Sequence, residues 1–277
     1  MTEEKAKAAA KGLEENNGFS RVAFQPFWPS YPAKSDAEVY TCPLCRDTGW
    51  LMGEDGAYPC DCRREKQMAA RKQAAGLQPA LLGHTLDAFR LDYYSDFLTD
   101  PEGRTYRRLA ENACQACRDF VADVTAGKRP RGLFFQGEVG RGKTFLAAAV
   151  VNALIDRGCG ALFTVVPDLL DSLRYSYDPE SETSEETLMN RVRQAPVLVL
   201  DDLGSHNYSE WTKNRMYALL NYRLNHNLPL IVTSNLDLEQ LKDILGLRVI
   251  SRIVECCDFY LLCADKDNRL KVRAGCK

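Results

Sequence analysis

The feature that most constrains this chain is a run of three segments, Leu133-Phe-Phe-Gln136, Gly137-Glu-Val-Gly-Arg-Gly-Lys-Thr144 and the alanine-rich stretch to Arg157. A continuous apolar run reads as a strand covered on both faces. Thr144 to Arg157, stopped by Gly158, reads as a helix. The eight residues between them fit G-x-x-x-x-G-K-[ST]. Glycines at those positions let successive backbone N–H groups turn inward around an anion, and the helix N-terminus adds its positive end. A bare glycine-rich turn is the plainer alternative, but the four fixed positions coincide by chance in only about 1% of chains this long. The loop therefore points to ATP or ADP, held by Gly137, Glu138, Val139, Gly140, Arg141, Gly142, Lys143 and Thr144. In that setting Lys143 reaches the β- and γ-phosphate oxygens and the Thr144 hydroxyl ligates Mg²⁺.

Four more apolar runs have the texture of buried parallel strands: Ala161–Val166, Val197–Leu200, Leu230–Thr233 and Phe259–Cys263. Helical stretches separate them, Glu210 to Asn225 among them, and strand–helix–strand spacing of this kind gives right-handed crossovers. The expected fold is α/β, a three-layer sandwich around a parallel sheet. Asp178 to Glu186 reads as an acidic loop. Val197-Leu-Val-Leu-Asp-Asp-Leu-Gly204 ends in two carboxylates, 58 residues after Lys143. Ligands in open α/β sheets sit at the carboxyl ends of strands, so both carboxylates point to the phosphate crevice. Asp201 is expected to hold the Mg²⁺ shell and Asp202 to act as general base for an attacking water. A strand-terminating Asp-Asp turn is the alternative.

Of the chain's 11 cysteines, four crowd into Cys42-Pro-Leu-Cys45 and Cys60-Asp-Cys62, with glycine-rich turns between the pairs. Four thiolates can close a tetrahedron around Zn²⁺, although an iron–sulfur cluster accepts the same ligands. With four protein ligands no coordination position stays open, so such a site is structural. Residues 1–78 are too few to build a sufficient core, and metal binding would supply the deficit. The division expected is 1–78, a small zinc-binding domain, and 79–277, the nucleotide-binding domain. Met1 to Leu13 is charged and alanine-rich without the apolar core of a signal peptide, and no apolar run approaches the ~18–20 residues of a membrane span. These features predict a cytoplasmic protein with no membrane partner. The other seven cysteines, and His84, His206 and His226, lack ligand spacing.

Taken together, GEVGRGKT, VLVLDDLG, the strand Leu230-Ile-Val-Thr-Ser-Asn235 and Arg248-Val-Ile-Ser-Arg-Ile253 resemble an AAA+ ATPase. More narrowly, residues 80–270 are similar to the DnaC/DnaI bacterial helicase loaders and their phage relatives, kin of DnaA and of the IstB transposition helper. The lead-in segment Thr85 to Tyr94 is similar to the one that covers adenine in that family. The resemblance implies that Asn235 is a sensor contacting the attacking water or γ-phosphate. It implies that Arg252 is an arginine finger reaching a neighbouring subunit's site, and that Arg269 is a second sensor. Asn235 could instead cap the next helix, for which Asp237 is also eligible. Arg248 and Arg252, four apart, could form a solvated helix face.

The family also implies a replicative DNA helicase gripped by the N-terminal domain, self-association through the ATP site, and binding of single-stranded DNA. With 36 Lys plus Arg against 38 Asp plus Glu the net charge is −2, so DNA contact has to come from local faces. Arg104-Thr-Tyr-Arg-Arg108, Lys128-Arg-Pro-Arg131 and the tail from Lys266 are the basic segments. The activity expected is a slow ATPase, stimulated by DNA or partner, that loads a replicative helicase. A transposition helper of the IstB kind and a weakly hydrolysing nucleotide-sensing adaptor are the alternatives.

Overall fold

Each apolar run becomes a strand because alternate side chains find cover on opposite faces of one sheet. The computed structural model describes residues 40–53, 56–176, 184–206, 208–265 and 267. The chain divides after Asp47, into residues 1–47 and 48–277. In the first unit the Asp47 carboxylate accepts from the N–H of Thr41 at 3.0 Å and of Cys42 at 3.1 Å, fixing the turn that carries Cys42 and Cys45.

The second unit opens with an antiparallel hairpin, β1 (Trp50–Gly53) and β2 (Gly56–Pro59), followed by α1 (Asp61–Ala74). The end of α1 is tied down at three points. Lys72 pairs with Asp156 at 2.9 Å, Arg191 donates to the Ala74 carbonyl at 2.7 Å, and the Phe163 N–H donates to the Ala75 carbonyl at 2.7 Å. Gly76 stops the helix with φ of 80°, and a Cβ there would lie 2.2 Å from the Phe163 carbonyl oxygen, so only glycine lets the chain pass this close.

Five parallel strands follow, β3 (Gly132–Gln136), β4 (Ala161–Val165), β5 (Val197–Asp201), β6 (Leu230–Ser234) and β7 (Cys257–Leu261), in the order β4-β5-β6-β3-β7. On one face Phe135, Val199 and Ile231 pack against α2 (Tyr106–Thr125) and α3 (Lys143–Asp156). On the other, Phe134, Leu200 and Val232 meet α4 (Val166–Tyr175), α5 (Glu185–Gln194), α6 (Glu210–Asn225), α7 (Leu238–Leu245) and α8 (Leu247–Cys256). The alternation Phe134/Phe135 across the sheet is the period of two that a doubly covered strand requires.

Several boundaries differ from the sequence expectation. The run Ala161–Val166 ends as strand at Val165, because Pro167 suits the first turn of α4. The last strand lies two residues earlier than Phe259–Cys263. The acidic loop closes before its expected end. Ser184 caps α5 by accepting from the Thr187 N–H at 3.2 Å, and Glu185 and Glu186 occupy the first turn, where the helix dipole favours carboxylates. Residues 178–183 and Arg269 lie outside the described residues.

The sequence also concealed a core arginine. Arg223 of α6 is fully buried; its guanidinium donates to the carbonyls of Val192, Arg193 and Ala195 at the end of α5 and to that of Pro229 before β6. Burial without a carboxylate partner among its hydrogen bonds pulls its pKa down to about 10.

Candidate functional site

Sheet order explains why distant residues meet. β6 lies between β3 and β5, so the loop after β3, the carboxyl end of β5 and the residue after β6 converge at one crevice. Lys143 is the first residue of α3. Its Nζ donates to the carbonyls of Gly137 at 2.6 Å and Glu138 at 2.8 Å, and to Asn235 Oδ1 at 2.6 Å. The amide of Asn235 in turn donates to Asp202 Oδ1 at 2.9 Å. Asn235 thus bridges the lysine of the loop and the second carboxylate, from the strand between them. It does not cap α7; Asp237 does, in a capping box with Gln240.

Asp201, the last residue of β5, is 6% exposed. Its Oδ1 accepts from the hydroxyls of Thr144 at 3.0 Å and Thr233 at 2.7 Å. Burial pushes this carboxyl above the ordinary carboxylate value, opposed by the bonds from Thr233 and Thr144 and by the charge of Lys143. The hydroxyl of Thr144 and the carboxylate of Asp201 are hard oxygen donors side by side, the set that suits Mg²⁺. Asp202 adopts a left-handed φ of 60°, and its N–H donates to Thr233 Oγ1 at 2.9 Å. That conformation turns the Asp202 side chain to Asn235, while Asp201 faces Thr144.

The cavity over these groups measures about 860 Å³, within the range of small-ligand sites. Its other wall is aromatic: His84 lies 4.3 Å from Phe145, and Phe89 lies 5.8 Å from Phe145 and 5.5 Å from Tyr94, centroid to centroid. Burial lowers the pKa of His84, which favours the neutral ring. Gly142, at φ of 90°, admits this wall to the loop, since a Cβ there would sit 2.6 Å from Tyr94 Oη. Within the loop Arg141 pairs with Glu138 at 2.6 Å, Val139 is exposed, and Gly140 packs against Asp267.

Two contacts in this site escaped sequence reasoning. Thr233 reads as one more β-branched strand residue, and only its place level with Asp201 gives its hydroxyl a partner. Tyr94, whose Oη donates to the Arg141 carbonyl at 2.8 Å, lies 47 positions from that partner.

Arg252 is not among the residues lining the cavity. It sits on α8, with Nη1 2.7 Å from Glu255 and the guanidinium 5.9 Å from the Tyr217 ring centroid, while Arg248 is exposed. The basic segments are largely neutralised where they stand. Arg104 pairs with Asp100, Arg107 with Asp96 and Glu111, Arg108 with Glu111, Lys128 with Asp123, and Arg131 with Asp258. Of the basic tail from Lys266, only Asp267 lies among the described residues.

The sulfurs of Cys42, Cys45, Cys60 and Cys62 all lie within 4.8 Å of one another, three of the cysteines being buried. A tetrahedron with 2.3 Å metal–sulfur bonds has edges of about 3.8 Å, so a single metal ion fits with small adjustment. A cluster interposes iron and sulfide between its thiolates and needs them farther apart. Among the described residues no helix is long and apolar enough to cross a membrane.

Residues 105–257 match the family described as IstB-like ATP binding protein. Phage-like element PBSX protein XkdC of Bacillus subtilis is 31% identical, over 86% of this chain and 87% of its own length. Replicative helicase loader DnaI of the same organism is 28% identical over 75% of this chain, and replicative helicase loader DnaC of Escherichia coli is 30% identical over 51%. Each of these two matches spans 57% of the loader's length. Among solved structures, DnaI superposes with a TM-score of 0.55 at 28% identity, covering 70% of this chain and 94% of that one. The DnaC helicase loader gives 0.55 at 26% identity, covering 67% and 100%. DnaA from Aquifex aeolicus, at 18% identity over 72% of this chain and 55% of that one, shares the fold with a TM-score of 0.55.

Proposed function

Since the chain belongs to the IstB-like ATP-binding family, whose AAA+ relatives here include two named replicative helicase loaders, we propose that it is an ATP-dependent loader of a replicative DNA helicase. The observation that carries the ATPase part is the bridge from Lys143 through Asn235 to Asp202, beside the Thr144–Asp201 pair. ATP enters with its phosphates in the loop of residues 137–144, and Lys143 exchanges the carbonyls of Gly137 and Glu138 for phosphate oxygens. Asn235, released from the lysine, orients the attacking water, and Asp202 takes its proton. Mg²⁺, held through Thr144 and Asp201, supplies charge neutralisation on the phosphates. Hydrolysis within one chain is slow, because the two arginines that line the cavity among the described residues are paired there, Arg141 with Glu138 and Arg90 with Asp92, and neither serves as the finger. Arg252 of a second copy provides it once it leaves Glu255, which makes turnover dependent on self-association.

Zn²⁺ at Cys42, Cys45, Cys60 and Cys62 would hold those two cysteine pairs together; residues 1–78 grip the helicase, while residues 79–277 bind and hydrolyse ATP. Single-stranded DNA is contacted by the assembled copies, where weak phosphate contacts sum. The test is capture from a host lysate by the tagged full-length chain with ATP, with captured proteins identified by mass spectrometry. Recovery of the hexameric replicative helicase is expected. Recovery of a transposase without it would make this a transposition helper, and recovery of neither removes the loader reading.

A further inference from the structure

Asn152 stands in the middle of α3 among alanine, valine and leucine, and is 2% exposed. Both hydrogens of its Nδ2 are used: one goes to the carbonyl of Leu81 at 2.8 Å, the other to that of His84 at 3.0 Å. Its Oδ1 is buried and has no hydrogen-bond partner among the described residues. Asparagine is a poor helix former and a buried orphan acceptor is costly, so by local criteria leucine or alanine would serve α3 better. What asparagine adds is a double donor aimed at one short piece of backbone.

That backbone runs directly into the lead-in segment Thr85–Tyr94; it supplies Leu81 and His84, and the segment Phe89, to the cavity wall facing the phosphate loop. The segment's other end is held by Tyr94 Oη on the Arg141 carbonyl. Between these two tethers His84 and Phe89 lie against Phe145, and with Tyr93 and Tyr94 of the same segment they make up the cavity's aromatic surface among the described residues. The loop of residues 137–144 and its Lys143 take the phosphates, which leaves this wall for the base.

We propose that Asn152 is a positioning residue for the nucleobase: it pins the lead-in segment to α3 and so sets the affinity for adenine without touching the phosphates. The proposal rests on the nucleotide reading of the cavity. It is tested with the full-length chain by measuring dissociation constants for ATP and for inorganic tripolyphosphate, which has the phosphates and no base. Asn152→Leu is expected to weaken ATP roughly 10-fold, the loss of two neutral hydrogen bonds, and tripolyphosphate less than about two-fold. The KM for ATP rises correspondingly with kcat held, and amide exchange quickens over residues 79–94 while α3 stays protected. Asn152→Asp, which keeps the shape and removes at least one of the two donors, is expected to act in the same direction and guards against a packing artefact of leucine. Equal losses for ATP and tripolyphosphate, or unchanged ATP affinity in both variants, overturn the proposal. A wild-type chain that binds tripolyphosphate and ATP equally also overturns it, whereas a wild-type chain that binds neither refutes the nucleotide reading itself.

Discussion

Thr233 tests how the buried carboxylate is kept usable. Valine at this position keeps the volume and the strand propensity and deletes one hydroxyl. The hydroxyl has two partners, donating to Asp201 Oδ1 at 2.7 Å and accepting from the Asp202 N–H at 2.9 Å. A hydrogen bond to a charged group contributes about 1.5–3 kcal/mol, and an orphaned buried donor costs about 1–3 kcal/mol. Offset by the more apolar side chain, Thr233→Val should lower stability by about 2–4 kcal/mol, a melting temperature roughly 5–12 °C lower for a chain of this size. The pH dependence gives a second reading. Burial already raises the Asp201 pKa above the ordinary carboxylate value, and the hydrogen bond from the Thr233 hydroxyl is the main influence opposing it. A carboxyl whose pKa is raised by folding binds more protons in the native state, so its contribution to stability falls as pH rises through the interval between the two values. Removing the hydroxyl widens that interval. The deficit of Thr233→Val should therefore be smaller at acid pH than at pH 7–8, and the acid limb of its ATPase profile should move to higher pH. Urea melts at several pH values and a pH–rate profile measure both. An unchanged melting temperature, or a deficit constant across pH with an unmoved acid limb, refutes the reasoning.

Arg223→Leu should cost about 3–5 kcal/mol in urea unfolding, because the carbonyls at the end of α5 and before β6 lose their donors together; a loss below about 1 kcal/mol contradicts that account. Metal analysis of the full-length chain should find zinc, and a strong chelator should release it and speed amide exchange over residues 40–60 while the five-stranded sheet remains protected. Retention of protection at residues 40–60 after the metal is gone would remove zinc from the fold of that segment.

The parts of the site legible in the sequence are those whose signal is local. Gly137–Thr144 carries its chemistry in eight consecutive residues, and Asp201-Asp202 follow the four-residue apolar run Val197–Leu200. Asn235 was visible as a position, but its choice between capping a helix and bridging Lys143 to Asp202 depends on β6 lying between β3 and β5. No window of residues encodes that order. Thr233, Tyr94 and Asn152 bond to partners 31 to 71 positions away, and each looks locally like an ordinary strand, loop or helix residue. Arg223 was hidden for the opposite reason: a charged residue in a helix reads as solvent-facing, and the carbonyls that keep it inside belong to the end of another helix and to Pro229 before β6. The basic segments were legible as charge, yet their acidic partners, such as Asp258 for Arg131, come from across the fold.

Asp202→Asn is the most direct test of the central claim. At φ of 60° asparagine is at least as well tolerated as aspartate, so the substitution removes a charge and leaves the backbone in place. The measurement pairs ATP binding by titration calorimetry with phosphate release by the full-length chain, with and without single-stranded DNA. The account predicts ATP affinity within a few-fold of wild type and phosphate release lowered by about 10²–10⁴. Wild-type phosphate release from Asp202→Asn, with ATP bound, would contradict the assignment of Asp202 as the base and the reading of this crevice as an ATPase site built around it.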